Sequence, residues 1–267
     1  EVKRMNKDIK NFKVSIVGAG TMGLSLALFY ALKGFKTKLY NRTPENLEKA
    51  KTQIISSFYT LAGMREANLE DIVEVMGRIS YCTDLKEAVY DADYVIESVA
   101  ENKEVKKEIF ARLDEYCSSD CILGSNTSTF NIYEFISVSN PERLVITHYL
   151  NPPHITPLVE IVRGDQTGDK CVSVLKEFFT YAGKVPIALN KCVEGFLWNR
   201  LQMALGREAT YLVDEGLASV EDIDTAMKKG LAPRYLLRGI FNMYDFNGID
   251  VLNSVFNITF PALCNAD

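Results

Sequence analysis

Two hydrophobic periods alternate along this chain, and the point where the alternation stops divides it. A short apolar run from Lys13 to Val17 reads as a strand, and Thr21 to Leu32 has helical length and composition until Lys33-Gly34 ends it. Lys36 to Tyr40 is a second strand. Thr43-Pro44-Glu45 then opens a helix, with a hydroxyl at the N-cap, proline at the first helical position and an acid in the first turn. Strand, helix and strand in this order make a right-handed βαβ unit. Further apolar runs at 78–81, 94–96, 121–123 and 144–146 are separated by helical stretches such as Lys103 to Tyr116, which predicts a largely parallel sheet covered on both faces. Leu158 to Val162 and 185–188 form a last strand pair around a helix from Asp169 to Tyr181. After Lys191 only the helical period remains: 195–215 is long and amphipathic, and Ser219 caps a helix running to Lys229. The expected architecture is a doubly wound α/β domain over residues 1–190, followed by a smaller all-helical domain over 191–267. No internal repeat or low-complexity segment interrupts either part.

Composition narrows the partners. The 267 residues are 47% apolar and 24% charged, as in ordinary globular proteins. A net charge of -5 offers no basic field to a phosphate backbone, so nucleic acid is not expected, although a local pocket for one phosphate remains open. Six cysteines at 82, 117, 121, 171, 192 and 264 contain no Cys-x-x-Cys pair, which argues against a zinc site or a disulfide framework and for reduced thiols in a cytoplasm. The uncharged run 14–32 has the look of a signal peptide or membrane span, but Gly18, Gly20 and Gly23 would weaken an inserted helix. A buried strand turning into a buried helix needs them there, so neither targeting nor membrane association is expected.

Gly18-x-Gly20-x-x-Gly23 is a weak signal alone, but here it follows a strand and opens a helix inside a βαβ unit. That context describes a Rossmann-type dinucleotide site, with Gly18, Gly20, Thr21, Met22 and Gly23 around the pyrophosphate. The acid that commonly binds the adenosine ribose is missing at the end of the second strand, where the chain reads Tyr40-Asn41-Arg42-Thr43. Asn41, Arg42 and the Thr43 hydroxyl can all donate to a 2′-phosphate, which favours NADP. The alternative is NAD, with Arg42 solvated and Asn41 on a plain 2′-hydroxyl.

The reacting groups gather in one segment. Only two histidines exist, His148 and His154, and both lie in the stretch that reads Ser-Asn-Thr-Ser at 125–128, His-x-x-Asn-Pro-Pro at 148–153 and Pro-Leu-Val-Glu at 157–160. A near-neutral general base must therefore be one of them, and the proline-flanked His154 suits a rigid loop or pocket wall. His148 can accept a hydroxyl proton while hydride leaves the same carbon for a nicotinamide. Glu160, at the start of a neighbouring strand, can hold the other imidazole nitrogen. Ser128 and Asn199 are candidates to hydrogen-bond the substrate oxygen, and Asn126 is assigned to the cofactor. Asn151 reads as a substrate contact or as the start of a turn. Glu101 and Lys106 reach the nicotinamide end of the cofactor or merely flank a solvated helix.

On these motifs the chain resembles the L-3-hydroxyacyl-CoA dehydrogenase family from Val14 to about Asp250. The resemblance implies a His-Glu pair on His148 and Glu160, a serine on Ser128, and an asparagine on Asn199 in Gly195-Phe-Leu-Trp-Asn-Arg. It also implies a helical C-terminal domain that closes over substrate and makes a homodimer. Between His148 and Glu160 the acyl-CoA members read Asn-Pro-Val-Pro-Val-Met-Lys, whereas this chain has Asn-Pro-Pro-His-Ile-Thr-Pro and no lysine. It also reads Gly230-Leu-Ala-Pro-Arg-Tyr-Leu-Leu-Arg-Gly-Ile-Phe, three residues longer than their Gly-Pro-Phe turn. Both departures resemble the L-gulonate 3-dehydrogenase and carnitine dehydrogenase branch, which implies a small free L-3-hydroxy acid as substrate and Arg234 as a fork for its carboxylate; a surface salt bridge is the competing role for Arg234. An acyl-CoA thioester is the runner-up substrate. The family's final glycine-rich Phe-Tyr segment is absent, which reads as a truncated end. Lysine-base dehydrogenases of the phosphogluconate type fit poorly, because the long helix after Gly195 offers Asn199 and Arg200 instead of lysine. From another class, a non-catalytic dinucleotide-binding protein would not need Ser128, His148, Glu160 and Asn199 together.

Overall fold

A computed structural model describes residues 8–264. The chain forms two compact units that divide between Phe196 and Leu197. In the first, β1 (Lys13–Val17), α1 (Thr21–Leu32) and β2 (Lys36–Tyr40) follow the expected bounds, and α2 (Pro44–Gly63), α3 (Ile72–Gly77), β3 (Ile79–Cys82), α4 (Leu85–Val89) and β4 (Tyr94–Glu97) come next. Then follow α5 (Lys103–Tyr116), β5 (Ile122–Ser125), β6 (Leu144–Tyr149), β7 (Leu158–Val162), α6 (Asp169–Tyr181) and β8 (Val185–Leu189).

The eight strands form one sheet in the order β3-β2-β1-β4-β5-β6-β7-β8. All neighbours are parallel except β6 and β7, whose antiparallel pairing sets His148 directly opposite Glu160. The sheet is therefore mostly parallel and doubly wound, as the alternating periods imply. Alternate strand residues feed opposite faces. Val14, Ile16, Tyr94 and Ile96 pack with α1, α2 and α6, whereas Val17, Val95 and Leu123 pack with α4 and α5. Helix α1 buries every residue from Gly23 to Ala31, so it is apolar all round, as a helix inside a core must be.

Thr43 occupies the N-cap position of α2, but its side chain makes no capping bond, which corrects the hydroxyl-cap expectation. Its hydroxyl instead donates to Asn41 Oδ1 at 3.0 Å. In the second unit the helix expected over 195–215 starts later, because Gly195 and Phe196 have φ values of 73° and 54°, in the left-handed region that interrupts a right-handed helix. It is α7 (Trp198–Asp214), followed by α8 (Val220–Ala226), α9 (Ala232–Leu237), α10 (Ile240–Asn247) and α11 (Ile249–Thr259). The Ser219 side chain accepts from the Asp222 amide as expected of a cap, but α8 ends at Ala226 and the chain continues to Leu231 in a wider, π-type turn. Among the described residues no helix is long and apolar enough to cross a membrane, and no cluster of side chains could hold a metal ion.

Candidate active site

The glycine turn is built by close approach. Gly18, at φ 118°, lies so near the Ser98 carbonyl that a Cβ would collide with it, and a Cβ on Gly23 would strike the Gly18 carbonyl. A Cβ on Gly20 would meet nothing within 4 Å. That side opens into a cavity of about 660 Å³. The cavity is lined by the turn from Gly18 to Met22, by Tyr40 at the end of β2 with Asn41 and Arg42 after it, by Ser98, Val99 and Ala100 after β4, by Asn126, and by Val105, Glu108, Ile109 and Arg112 of α5. The first amides of α1 have no partner within the helix and face a space that Gly20 leaves open, so the residues present fit a pyrophosphate. Ser98, Val99 and Arg112 escaped the sequence reading, since neither residue type nor spacing marks them.

Around Arg42 the hydrogen bonds fix an orientation. Asn41 Oδ1 accepts both the Thr43 amide at 3.1 Å and the Thr43 hydroxyl. The amide oxygen is thus occupied, and the cavity-lining Asn41 keeps its Nδ2 donors for a ligand. The Thr43 hydroxyl has spent its proton on Asn41, and Thr43 is not among the cavity's lining residues.

A second set of residues stitches the strand ends together. Gly18 N donates to Tyr40 O, Ser98 N to Val17 O and Asn126 N to Glu97 O, each within 2.9 Å. Glu97, fully buried at the last position of β4, accepts from Lys106 Nζ at 2.8 Å, from Ser125 Oγ at 2.6 Å and from the Val99 amide at 2.8 Å. Lys106 is buried as well and also pairs with Glu101 at 3.1 Å. The Thr127 hydroxyl donates to Glu101, and the Thr127 amide to Ser125 Oγ. Lys106 therefore lies under the Ser-Asn-Thr-Ser loop as the counter-ion of two carboxylates. Glu97 was missed in the sequence, although an acid ending the apolar run Tyr-Val-Ile-Glu demands a buried partner. The loop itself leaves Ser128 exposed and Asn126 half-buried, with Asn126 Oδ1 accepting the Tyr149 amide at 3.1 Å.

At the carboxyl end of β6, His148 Nδ1 and Glu160 Oε2 are 2.7 Å apart, and both residues are buried. Direct cross-strand neighbours share a face of the sheet, which explains how twelve residues of separation become one hydrogen bond. A carboxylate at that distance makes Nδ1 the protonated nitrogen of the neutral ring and leaves Nε2 as the atom able to take a proton. The Phe196 ring stands edge-on against the imidazole, with centroids 5.4 Å apart. Asn151 is exposed in the connector after β6. In the second unit, Asn199 is half-buried in the first turn of α7 and Arg234 is exposed on α9.

Residues 13–192 match the family model of the 3-hydroxyacyl-CoA dehydrogenase NAD binding domain, and residues 195–266 match that of the 3-hydroxyacyl-CoA dehydrogenase C-terminal domain. The chain belongs to the 3-hydroxyacyl-CoA dehydrogenase family. Among its relatives, the lambda-crystallin homolog of Homo sapiens is 35% identical over 90% of this chain and 76% of its own. The L-carnitine dehydrogenase of Mesorhizobium japonicum is 31% identical over 88% of this chain and 64% of its own. A crystal structure of 5-formyl-3-hydroxy-2-methylpyridine 4-carboxylic acid 5-dehydrogenase, an NAD+ dependent dismutase, has a TM-score of 0.86 at 31% identity, covering 96% of this chain and 82% of that one. Family membership makes the chain a dehydrogenase acting on a hydroxyl group, with a nicotinamide dinucleotide as its oxidant.

Proposed function

We propose that this dehydrogenase oxidises the 3-hydroxyl of a small free L-3-hydroxy acid. The observation that carries the reading is the buried His148–Glu160 pair, with His148 near the carboxyl end of β6 and the dinucleotide cavity at the carboxyl ends of β1, β2 and β4. His148 Nε2 takes the hydroxyl proton, and Glu160 holds the ring by Nδ1–H and stabilises the imidazolium that forms. Ser128 and Asn199 donate to the substrate oxygen as it becomes a carbonyl. A nicotinamide dinucleotide held at the turn from Gly18 to Met22 would supply the acceptor for the hydride leaving the same carbon, so that the hydride and the hydroxyl proton lost from the CH–OH group would both have a destination. Asn151 contacts the substrate, and Glu101 and Lys106 hold the loop on the nicotinamide side.

The carboxylate of a free acid needs a cation, because burying it unpaired costs several kcal/mol. Arg234 has no ion pair among the described residues, which favours this use over a surface salt bridge. For the cofactor we infer NADP over NAD, since Asn41 presents donors and Arg42 a cation where a 2′-phosphate would lie. The working form is a homodimer through the helical unit, whose apolar side chains are largely exposed, and the expected location is the cytoplasm. Relatives such as the probable 3-hydroxybutyryl-CoA dehydrogenase of Deinococcus radiodurans support a second reading, an acyl-CoA thioester as substrate. A panel of free 3-hydroxy acids and their CoA thioesters, assayed with both nicotinamides, decides it. Turnover of the thioesters alone would replace the first reading with the second.

A further inference from the structure

Lys184, just before β8, is 5% exposed, and no carboxylate pairs with it among the described residues. Its ammonium donates to two main-chain oxygens, that of Pro153 and that of Thr156 at 2.7 Å, and sits 4.2 Å from the centre of the Phe29 ring on α1. Both oxygens belong to the connector 150–157, the segment that joins the strand of His148 to the strand of Glu160 and carries Asn151. Inside the connector, the Ile155 and Thr156 amides donate to Pro152 O at 3.0 and 2.9 Å, and at its end Val185 N donates to Pro157 O at 2.9 Å. Beyond these bonds, the ammonium ties the loop to the core alongside the buried side chains of Leu150 and Pro153.

A buried cation without a counter-ion is costly, so an apolar side chain would serve better if the position only filled space. Burial lowers the Lys184 pKa to about 8, with nearby Lys33 adding to the effect. His154, on the same connector, is also lowered, by burial first and Lys184 second, and its buried Nδ1 has no hydrogen-bond partner. The fold thus keeps two disfavoured cation sites near each other, one of them, Lys184, against Phe29 of α1, the helix that begins at the glycine turn. We propose that Lys184 is a positioning residue that pins the connector of the His148–Glu160 pair against α1, and through it holds Asn151 and the imidazole in the geometry of turnover. This rests on the roles given to His148 and Glu160.

The test is Lys184→Met, which keeps the side-chain length and removes the charge and its donors. Turnover should fall by at least about tenfold, because small misplacements near reacting groups are that costly. The dissociation constant of the reduced nicotinamide dinucleotide, read by fluorescence titration, should stay within about twofold. Amide exchange at Ile155 and Thr156 should quicken relative to β4. Should the methionine variant not fold, Lys184→Gln, which keeps N–H donors without the charge, is judged by the same readings with a smaller fall expected. Unchanged turnover in a folded variant, or parallel loss of turnover and dinucleotide affinity, overturns the proposal. His148→Gln measured alongside separates the two ideas. An active His148→Gln removes the His-Glu assignment itself, whereas an inactive one beside a fully active Lys184→Met removes only the role of Lys184.

Discussion

The α/β unit and the helical unit use their apolar residues in opposite ways. Helix α1 hides nine successive residues in its own core, and in that unit Glu97 and Lys106 find each other as buried charges. None of α7 to α11 buries a residue, and Leu236, Leu237 and Phe241 are 87%, 85% and 79% exposed. Helices owe most of their stability to packing of the apolar face, so the first unit is self-sufficient and the second needs cover from outside itself. Chemistry held by the first unit should therefore fail only when its own residues change. Chemistry on the second should depend on what covers it.

The largest expected effect tests the first half of that contrast. His148→Ala or Glu160→Gln should lower turnover by about two orders of magnitude or more while dinucleotide binding survives, since each removes proton transfer or its orientation and leaves the phosphate site alone. Near-normal turnover in both variants would sink the assigned roles. The second half is tested by Leu236→Asp with Leu237→Asp. If a second copy covers these residues, the buried charges should weaken pairing by more than about tenfold, read as a shift toward monomer in sedimentation. A dimer of unaltered strength would place the interface elsewhere.

How much of this was legible in the sequence follows the same division. In the α/β unit the bounds of β1, α1, β2, β7 and α6 can be read directly, because glycine, charge or proline punctuates each apolar run. The antiparallel turn of β7 cannot, since a buried strand carries no mark of its direction. Nor could the sequence show that the Thr43 hydroxyl turns back to Asn41 instead of capping α2, because both bonds are local and the same residue types make either. Glu160 was found as the partner of His148 by its place on a strand, while Glu97 was passed over although it is as fully buried. Just before the helical unit, Gly195 signalled a helix start, but the left-handed Phe196 beside it is a conformation that bulky residues rarely adopt and no pattern foretells. In the helical unit the helical period was visible, and the exposure of its apolar faces was not.

Arg234→Met sharpens the contrast from the substrate side. It should raise the Michaelis constant for free hydroxy acids by about tenfold, equivalent to about 1.4 kcal/mol, with little change in cofactor affinity. An unaltered Michaelis constant would mean that the second unit does not read the carboxylate.

The smallest effect, in the first unit, concerns cofactor choice. Asn41 Oδ1 already accepts two bonds from Thr43, so the side chain cannot serve as the strong acceptor that an Asp would offer to the 2′- and 3′-hydroxyls of a plain ribose. Among the residues that line the cavity beside β2, Asn41 keeps its Nδ2 hydrogens and Arg42 its guanidinium, both of them donors. A 2′-phosphate is an acceptor with nearly two negative charges, but Arg42 is exposed, and solvent screens such a pairing to a fraction of its buried strength. Arg42→Ala should therefore weaken NADPH by only about fivefold, a loss of about 1 kcal/mol, and NADH by less than about twofold. The two dissociation constants, measured by fluorescence titration at low and high salt, give a further check. The NADPH loss should shrink as salt rises, because screening has already removed part of what the guanidinium contributes. Equal losses for both cofactors, or a wild type that prefers NADH, would show that the donors around Asn41 are not a 2′-phosphate site and that the ribose is bound as in NAD.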